Sequence, residues 1–182
     1  MRMKYTASVL AIVVTGALMT VTGPAVAQVE GVRGSDTGQP RQLAEHHRIK
    51  NLKSGKVLQA VSSANGAKVV QQPNQTGVNL QGWFLILDEP YRSFENFESG
   101  LNLGIDGAST AVGAAAITAR GSSDTNQDWV KDDSAYSGDY FALKNRKSGL
   151  CLGISGASTA NGAQAAQFRC DGSANQGWIL SH

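Results

Sequence analysis

Histidine, cysteine and clustered charge are all scarce in this sequence, and each scarcity removes a class of function. The three histidines are His46 and His47, side by side, and His182 at the C-terminus. No motif joins a Ser or Cys nucleophile to a His and an acidic orienter, and no metal-ligand spacing occurs. No catalytic residue, metal or cofactor is therefore expected. Paired carboxylates for glycoside cleavage need only meet in space, but little chain lies outside the repeats described below to build a catalytic cleft. Lys and Arg are not clustered, so neither a phosphate backbone nor an anionic lipid surface is an expected partner. No segment carries a 3.6-residue apolar period at helix length, which excludes a helical domain.

The N-terminus is the one long apolar region. A basic start, Met1-Arg2-Met3-Lys4, leads into the run from Ala7 to Val21; Gly23-Pro24 and the small-x-small site Ala25-Val26-Ala27 follow. That order predicts a secretory signal peptide over residues 1–27, cut after Ala27. The run is shorter than the roughly 20 apolar residues of a membrane span. Removing Arg2 and Lys4 leaves 14 basic residues against 14 acidic ones, so the expected secreted, extracellular chain from Gln28 is neutral. Residues 28–44 are polar, with Gly34-Ser35-Asp36 and Gly38-Gln39-Pro40, and read as a flexible leader. Both cysteines, Cys151 and Cys170, lie in the exported part; an even count there favours a disulfide over two free thiols.

What the sequence does contain is a threefold repeat. Ile49-Lys50-Asn51-Leu52-Lys53-Ser54-Gly55, Phe94-Glu95-Asn96-Phe97-Glu98-Ser99-Gly100 and Leu143-Lys144-Asn145-Arg146-Lys147-Ser148-Gly149 open three units. Each unit closes on Gln-x-Trp: Gln81-Gly82-Trp83, Gln127-Asp128-Trp129 and Gln176-Gly177-Trp178. Opening glycine and closing tryptophan lie 28, 29 and 29 positions apart, and all three tryptophans of the protein occupy this one place. The units span about residues 46–89, 90–135 and 136–182. Each shows about four short strand-like stretches separated by Gly, Ser, Thr and Ala, so the class is all-β. The alanine-rich window Ala111–Ala119 contains Gly113 and falls where the repeat places a strand. One unit cannot bury its own apolar face, whereas three can share a core about an axis, with Trp83, Trp129 and Trp178 supplying much of it.

Ser148-Gly149-Leu150-Cys151-Leu152, then Gly156-Ala157-Ser158-Thr159-Ala160-Asn161-Gly162, Cys170 and Asn175-Gln176-Gly177-Trp178 resemble the ricin B-type lectin repeat. The resemblance covers residues 45–182 and implies a β-trefoil of three four-stranded repeats with pseudo-threefold symmetry. It also implies a disulfide inside one unit, matching Cys151 and Cys170. The activity it implies is sugar binding without chemistry, to galactose-type or xylan-type glycans.

In the family, an Asp after the second strand accepts hydrogen bonds from the sugar, an aromatic ring before the second Cys stacks on it, and an Asn before Gln-x-Trp adds a polar contact. Carried over by position, the third unit keeps Phe168, Asn175 and Gln176 but has Gly153 in place of the Asp. The second unit keeps Asn126 and Gln127 but has Gly104 and Ala119; the first has Gln59, Gln72, Leu80 and Gln81. Asp106 and Asp171 are candidates for a displaced carboxylate, and Ser155 for a further contact. The third unit is the best candidate pocket. The missing acidic residues keep open a second reading, a protein-binding or inhibitory trefoil with degenerate sugar sites. A monomer is expected, because several weak sites on one chain already give avidity.

Overall fold

The computed structural model describes residues 46–182. The expected signal peptide and polar leader, residues 1–44, lie outside the described residues. Twelve strands fall four to a repeat. The first repeat holds β1 (Arg48–Asn51), β2 (Val57–Ala60), β3 (Val69–Gln72) and β4 (Trp83–Asp88). The second holds β5 (Tyr91–Asn96), β6 (Asn102–Ile105), β7 (Ala116–Ala119) and β8 (Trp129–Asp132), and the third β9 (Ala142–Asn145), β10 (Cys151–Ile154), β11 (Ala165–Phe168) and β12 (Trp178–Ser181). The alanine-rich window supplies β7, as its place in the repeat predicts. Among the described residues no helix is long and apolar enough to cross a membrane.

The first and last strands of each repeat close a six-stranded barrel. Antiparallel ladders join β4 to β5, β8 to β9 and β12 to β1. Remaining joints are β5 to β8, His47 opposite Trp83, and Phe141 opposite Trp178. In every ladder a tryptophan faces the Asn of the next repeat: Trp83 opposite Asn96, Trp129 opposite Asn145, Trp178 opposite Asn51. The middle strands form three hairpins, β2–β3, β6–β7 and β10–β11. Single bridges link them to one another, at Lys68–Ile117, Ala115–Ala166 and Val70–Gln164. This is a β-trefoil: a barrel capped by a triangle of hairpins.

The core explains the repeated tryptophan. All three indoles are 0% exposed and belong to one buried cluster with Ile49, Leu58, Phe94, Leu103, Leu143 and Leu152. Each ring keeps its one polar atom satisfied by donating Nε1–H to the second strand of its own repeat. The acceptors are Leu58 O at 3.2 Å, Leu103 O at 3.1 Å and Leu152 O at 2.9 Å. A buried indole N–H without a partner would cost about 1–3 kcal/mol.

The opening motif has an equally physical origin. Asn51, Asn96 and Asn145 each accept from the backbone N–H of the Ser three residues on, bending the chain. The glycine that follows sits at φ 67°, 64° and 69°, a region that costs a side-chain-bearing residue energy. Each Asn amide then donates across the repeat boundary: Asn51 to Asn175 O and Gly177 O, Asn96 to Leu80 O and Gly82 O, Asn145 to Asn126 O. The Ser-Gly turn of one repeat thus fixes the Gln-x-Trp turn of the previous one.

Candidate functional site

In each repeat, a groove is expected between the second strand and the 3-10 turn that precedes tryptophan. In the third repeat Gly153 lies in β10, Phe168 ends β11, and Asn175 and Gln176 fall in the turn Ala174–Gln176. The structure brings these together. A Cβ built on Gly153 would lie 2.9 Å from Gln176 Cγ, 3.2 Å from Phe168 Cδ2 and 3.4 Å from Asn175 Nδ2. The space that the family gives to its acidic residue is therefore occupied here by its neighbours.

A hydrogen-bonded loop builds the outer wall. Gln176 Nε2 donates to Arg169 O at 3.0 Å, and Gln176 Oε1 accepts from Asp171 N at 3.3 Å. Ser173 N donates to Asp171 Oδ1 at 2.9 Å. The Ser173 hydroxyl is shared between that carboxylate and Asn175 Oδ1, 2.8 Å away. The hydroxyl and N–H of Ser173 hold the Asp171 carboxyl below the ordinary value of 3.8, so an exposed anion stands on the rim at neutral pH. Phe168 is half-buried, presenting part of its ring. Asn175 Nδ2 donates to no acceptor among the described residues, although its neighbours are fully engaged. Ser155 opens the turn after β10, with its N–H on Gln164 O and its side chain half-exposed.

The second repeat is built differently. Asn126 is buried and its Nδ2 is committed to Ile105 O at 2.9 Å. Gln127 donates to Arg120 O and accepts from Asn102 Nδ2. Ala119 offers no ring, and Asp106 stands exposed in the turn Asp106–Ala108. In the first repeat Gln59 Oε1 accepts from Gln81 Nε2 at 2.9 Å, which also holds Pro73 O. The Gln of Gln-x-Trp thus does the same thing three times, gripping the carbonyl just past the third strand (Pro73, Arg120, Arg169).

Two concave regions were not legible in the motifs. A cleft of about 340 Å³ lies on the other side of Asp171 and Gln176, lined also by Asp132, Ser134, Tyr136 and the disulfide. Its ring, Tyr136, donates to Ser173 O at 3.1 Å, and burial first, then Asp171 and Asp132, push its phenol above 10.0. Tyr136 stands in the β8–β9 connection, outside every repeated motif, so nothing in the repeat signals it. A second cleft, about 450 Å³, is lined by Val61, Ser62, Gly77, Asn79, Leu80 and Glu98 of the first two repeats. Among the described residues no group of three or more His, Cys, Asp or Glu side chains is arranged to hold a metal ion. Cys151 and Cys170 are joined in a disulfide at a Cα–Cα distance of 5.1 Å, tying β10 to the chain just past β11.

The model of ricin-type β-trefoil lectin domain-like proteins matches residues 38–119 and 125–182. Among solved structures, the designed threefold-symmetric protein ThreeFoil is 33% identical, with a TM-score of 0.71 over 75% of this chain and 98% of its own. An exo-β-1,3-galactanase from Clostridium thermocellum is 28% identical, with a TM-score of 0.70 over 74% of this chain and 29% of its own. The Macrolepiota procera ricin B-like lectin, solved in complex with lactose, shares the fold at 19% identity, with a TM-score of 0.67 over 76% of this chain and 96% of its own. No curated protein matches the sequence. With a family model spanning well over half its length, a barrel-and-cap architecture and a Gln-x-Trp turn in every repeat, the chain belongs to the ricin-type β-trefoil lectin domain-like family.

Proposed function

We propose that this protein is an exported, non-catalytic module that binds a glycan through its third repeat. The observation that carries the reading is the contrast between Asn175 and Asn126. Asn126 spends its amide on Ile105 O, whereas the Asn175 amide, beside Gly153 and the half-exposed Phe168 ring, donates to no acceptor among the described residues. A partly exposed phenyl face and a free amide donor match the apolar face and hydroxyl oxygens of a pyranose. Asp171, kept ionised by Ser173, adds an acceptor for charge-assisted bonds from sugar hydroxyls. It replaces in chemistry, though not in position, the acceptor missing at Gly153. Galactose-containing glycans are the first class to test, because lactose occupies the Macrolepiota procera lectin; xylan-type glycans are the second. The N-terminal pattern supports secretion.

The test is an NMR titration of the purified protein with lactose, β-1,3-galactan oligosaccharides and xylo-oligosaccharides. Shifts confined to Phe168, Asp171, Asn175 and their neighbours are expected with one of them. Phe168→Ala is expected to weaken binding at least tenfold with the melting transition retained. Millimolar sugar of all three classes without shifts, alongside capture of a protein partner that sugars do not displace, would establish the protein-binding reading instead.

A further inference from the structure

The strands that close the barrel are joined by connections of unequal length. β4 ends at Asp88 and β5 begins at Tyr91, leaving Glu89-Pro90 alone between them, whereas β8 ends at Asp132 and β9 begins at Ala142, leaving nine residues. Two residues suffice to join antiparallel strands, so the longer connection is not needed to close the barrel. It folds instead onto the third repeat. Tyr136 donates its hydroxyl to Ser173 O at 3.1 Å, and its ring lies against Gly177, where a built Cβ would stand 2.9 Å from Tyr136 Cε1. Extended loops on a rigid scaffold are where binding groups concentrate.

The cleft that this connection walls in, about 340 Å³, falls in the size range of small-molecule sites, about 300–1,000 Å³. It is lined by Tyr136, Asp132 and Asp171, with no Lys, Arg or His among its lining residues. Among the described residues neither carboxylate forms a salt bridge. Lys144 acts on Asp132 only from outside the cleft. Ser134 donates its N–H and hydroxyl to Asp132 at 3.1 and 2.6 Å, and Ser173 its N–H to Asp171 at 2.9 Å, which orients the carboxylates without neutralising them. Burial first, then the charges of Asp171 and Asp132, raise the Tyr136 phenol, so both anions act on the same ring. An aromatic ring beside uncompensated carboxylates attracts an organic ammonium, through its electron-rich face and through charge-assisted N–H···O bonds.

We propose that the Tyr136 cleft holds the ammonium group of an unacetylated amino sugar. The source of the ammonium is read from position, and in that choice the inference rests on the glycan reading of the Phe168 groove. Asp171 and Gln176 belong to both sites: they line this cleft, and their hydrogen bonds build the outer wall of the groove. The two sites are therefore adjacent, and neighbouring residues of one oligosaccharide can occupy them. N-acetylation removes the positive charge and adds an acyl group, so the cleft separates a free hexosamine from its acetylated form.

The test is titration of the purified protein, by calorimetry and NMR, with oligosaccharides of glucosamine and of galactosamine, their fully N-acetylated counterparts and tri-lysine. Mildly acidic pH keeps the amines charged while Asp132 and Asp171, both held below 3.8, stay ionised. One of the amino oligosaccharides is expected to shift Asp132, Tyr136 and Asp171 and to bind about tenfold more tightly than its acetylated form. Asp132→Asn keeps an acceptor for Ser134 but loses the charge; it is expected to abolish that preference and to leave neutral sugar binding at Phe168 unchanged. Equal binding of amine and N-acetyl forms would overturn the proposal and leave the Phe168 groove standing. An amino sugar that shifts Tyr136 while neutral sugars leave Phe168 unmoved would retire the groove and support the cleft. Tri-lysine bound as tightly as the amino oligosaccharide would overturn the assignment, because the cleft would then read charge alone.

Discussion

Trp178 illustrates how one residue type meets two demands at once. Its ring is wholly buried in the shared cluster, and its N–H reaches Leu152 O. Trp178→Ala removes both and is expected to cost about 3–5 kcal/mol. Trp178→Phe keeps most of the apolar area but strands the carbonyl, and is expected to cost about 1–3 kcal/mol. Urea denaturation of the two variants separates packing from hydrogen bonding, and a Phe variant as stable as the wild type would show that the hydrogen bond contributes nothing. Gly153 is the converse case, where adding atoms is harmful. Its neighbours Gln176 Cγ and Phe168 Cδ2 stand at 2.9 and 3.2 Å from a built Cβ, and Gln176 cannot yield while both ends of its amide are bonded. Restoring the family's acidic residue with Gly153→Asp is therefore expected to lower stability by about 1–3 kcal/mol, read as a lower melting temperature. Unchanged melting would mean that the groove can open to admit the carboxylate.

Between elements, the repeats hold one another in a ring. Gln71 Nε2 of the first repeat donates to Ser158 O and Ala160 O of the third, both at 2.9 Å. Gln167 of the third donates to Ser109 O and Ala111 O of the second. Thr118 of the second uses its hydroxyl on Ala67 O of the first, at 3.4 Å. Gln167→Ala leaves Ser109 O without its donor and Ala111 O with only the Ala114 N–H. It is expected to cost about 1–3 kcal/mol, seen as a melting shift, and to speed amide exchange in residues 109–111 more than in 62–64. Of these features, the sequence carried those that every repeat must solve alike. The Asn–Ser–Gly turn and the Gln-x-Trp turn recur because each closes the same backbone, so spacing alone exposed them. Features in which the repeats diverge were illegible. The middle residue of Gln-x-Trp reads as arbitrary, yet Gly82 is pressed by His46 and Phe97, and Gly177 by Tyr136 and Leu52. In the second repeat Asp128 bonds Arg146 at 3.0 Å, with that guanidinium 3.9 Å from the Tyr91 ring. Gln164, whose amide bonds Val69 O, Ala116 O and Ala165 O, and Tyr136 were likewise silent, since each serves a position that occurs once. The candidate groove was half legible: its residues were named by the repeat, but Asn126 and Asn175 look equivalent until their hydrogen bonds are seen.

For the whole molecule, these ring-like links bear on how the protein unfolds. Each repeat spends donors on the one before it in the ring: Asn51, Asn96 and Asn145 on the preceding turn, Gln71, Thr118 and Gln167 on the preceding repeat's loop. The ladder β1–β12 joins the two ends of the domain, so no repeat is terminal in space. Acid adds a mild handle. Asp132 and Asp171 are held below 3.8 chiefly by the hydroxyls of Ser134 and Ser173, and Asp124 by Lys147. A depressed folded-state value stabilises above the unfolded value and is lost as pH falls through the folded one. The melting temperature is thus expected to stay level from neutral pH down to about 4 and to fall below it. Cutting the ring should be far more severe. A chain ending after residue 135 keeps eight strands but loses the partner of β1, one third of the cap and the Gln164 amide. Its exposed indole pockets and orphaned carbonyls leave burial too small to offset chain entropy. It is expected to show no cooperative melting transition and poor dispersion of amide proton shifts, while the three-repeat protein unfolds in a single two-state step. A truncated chain that melted cooperatively would mean that two repeats suffice for a core, and that the ring of inter-repeat bonds is not what makes the trefoil fold as one unit.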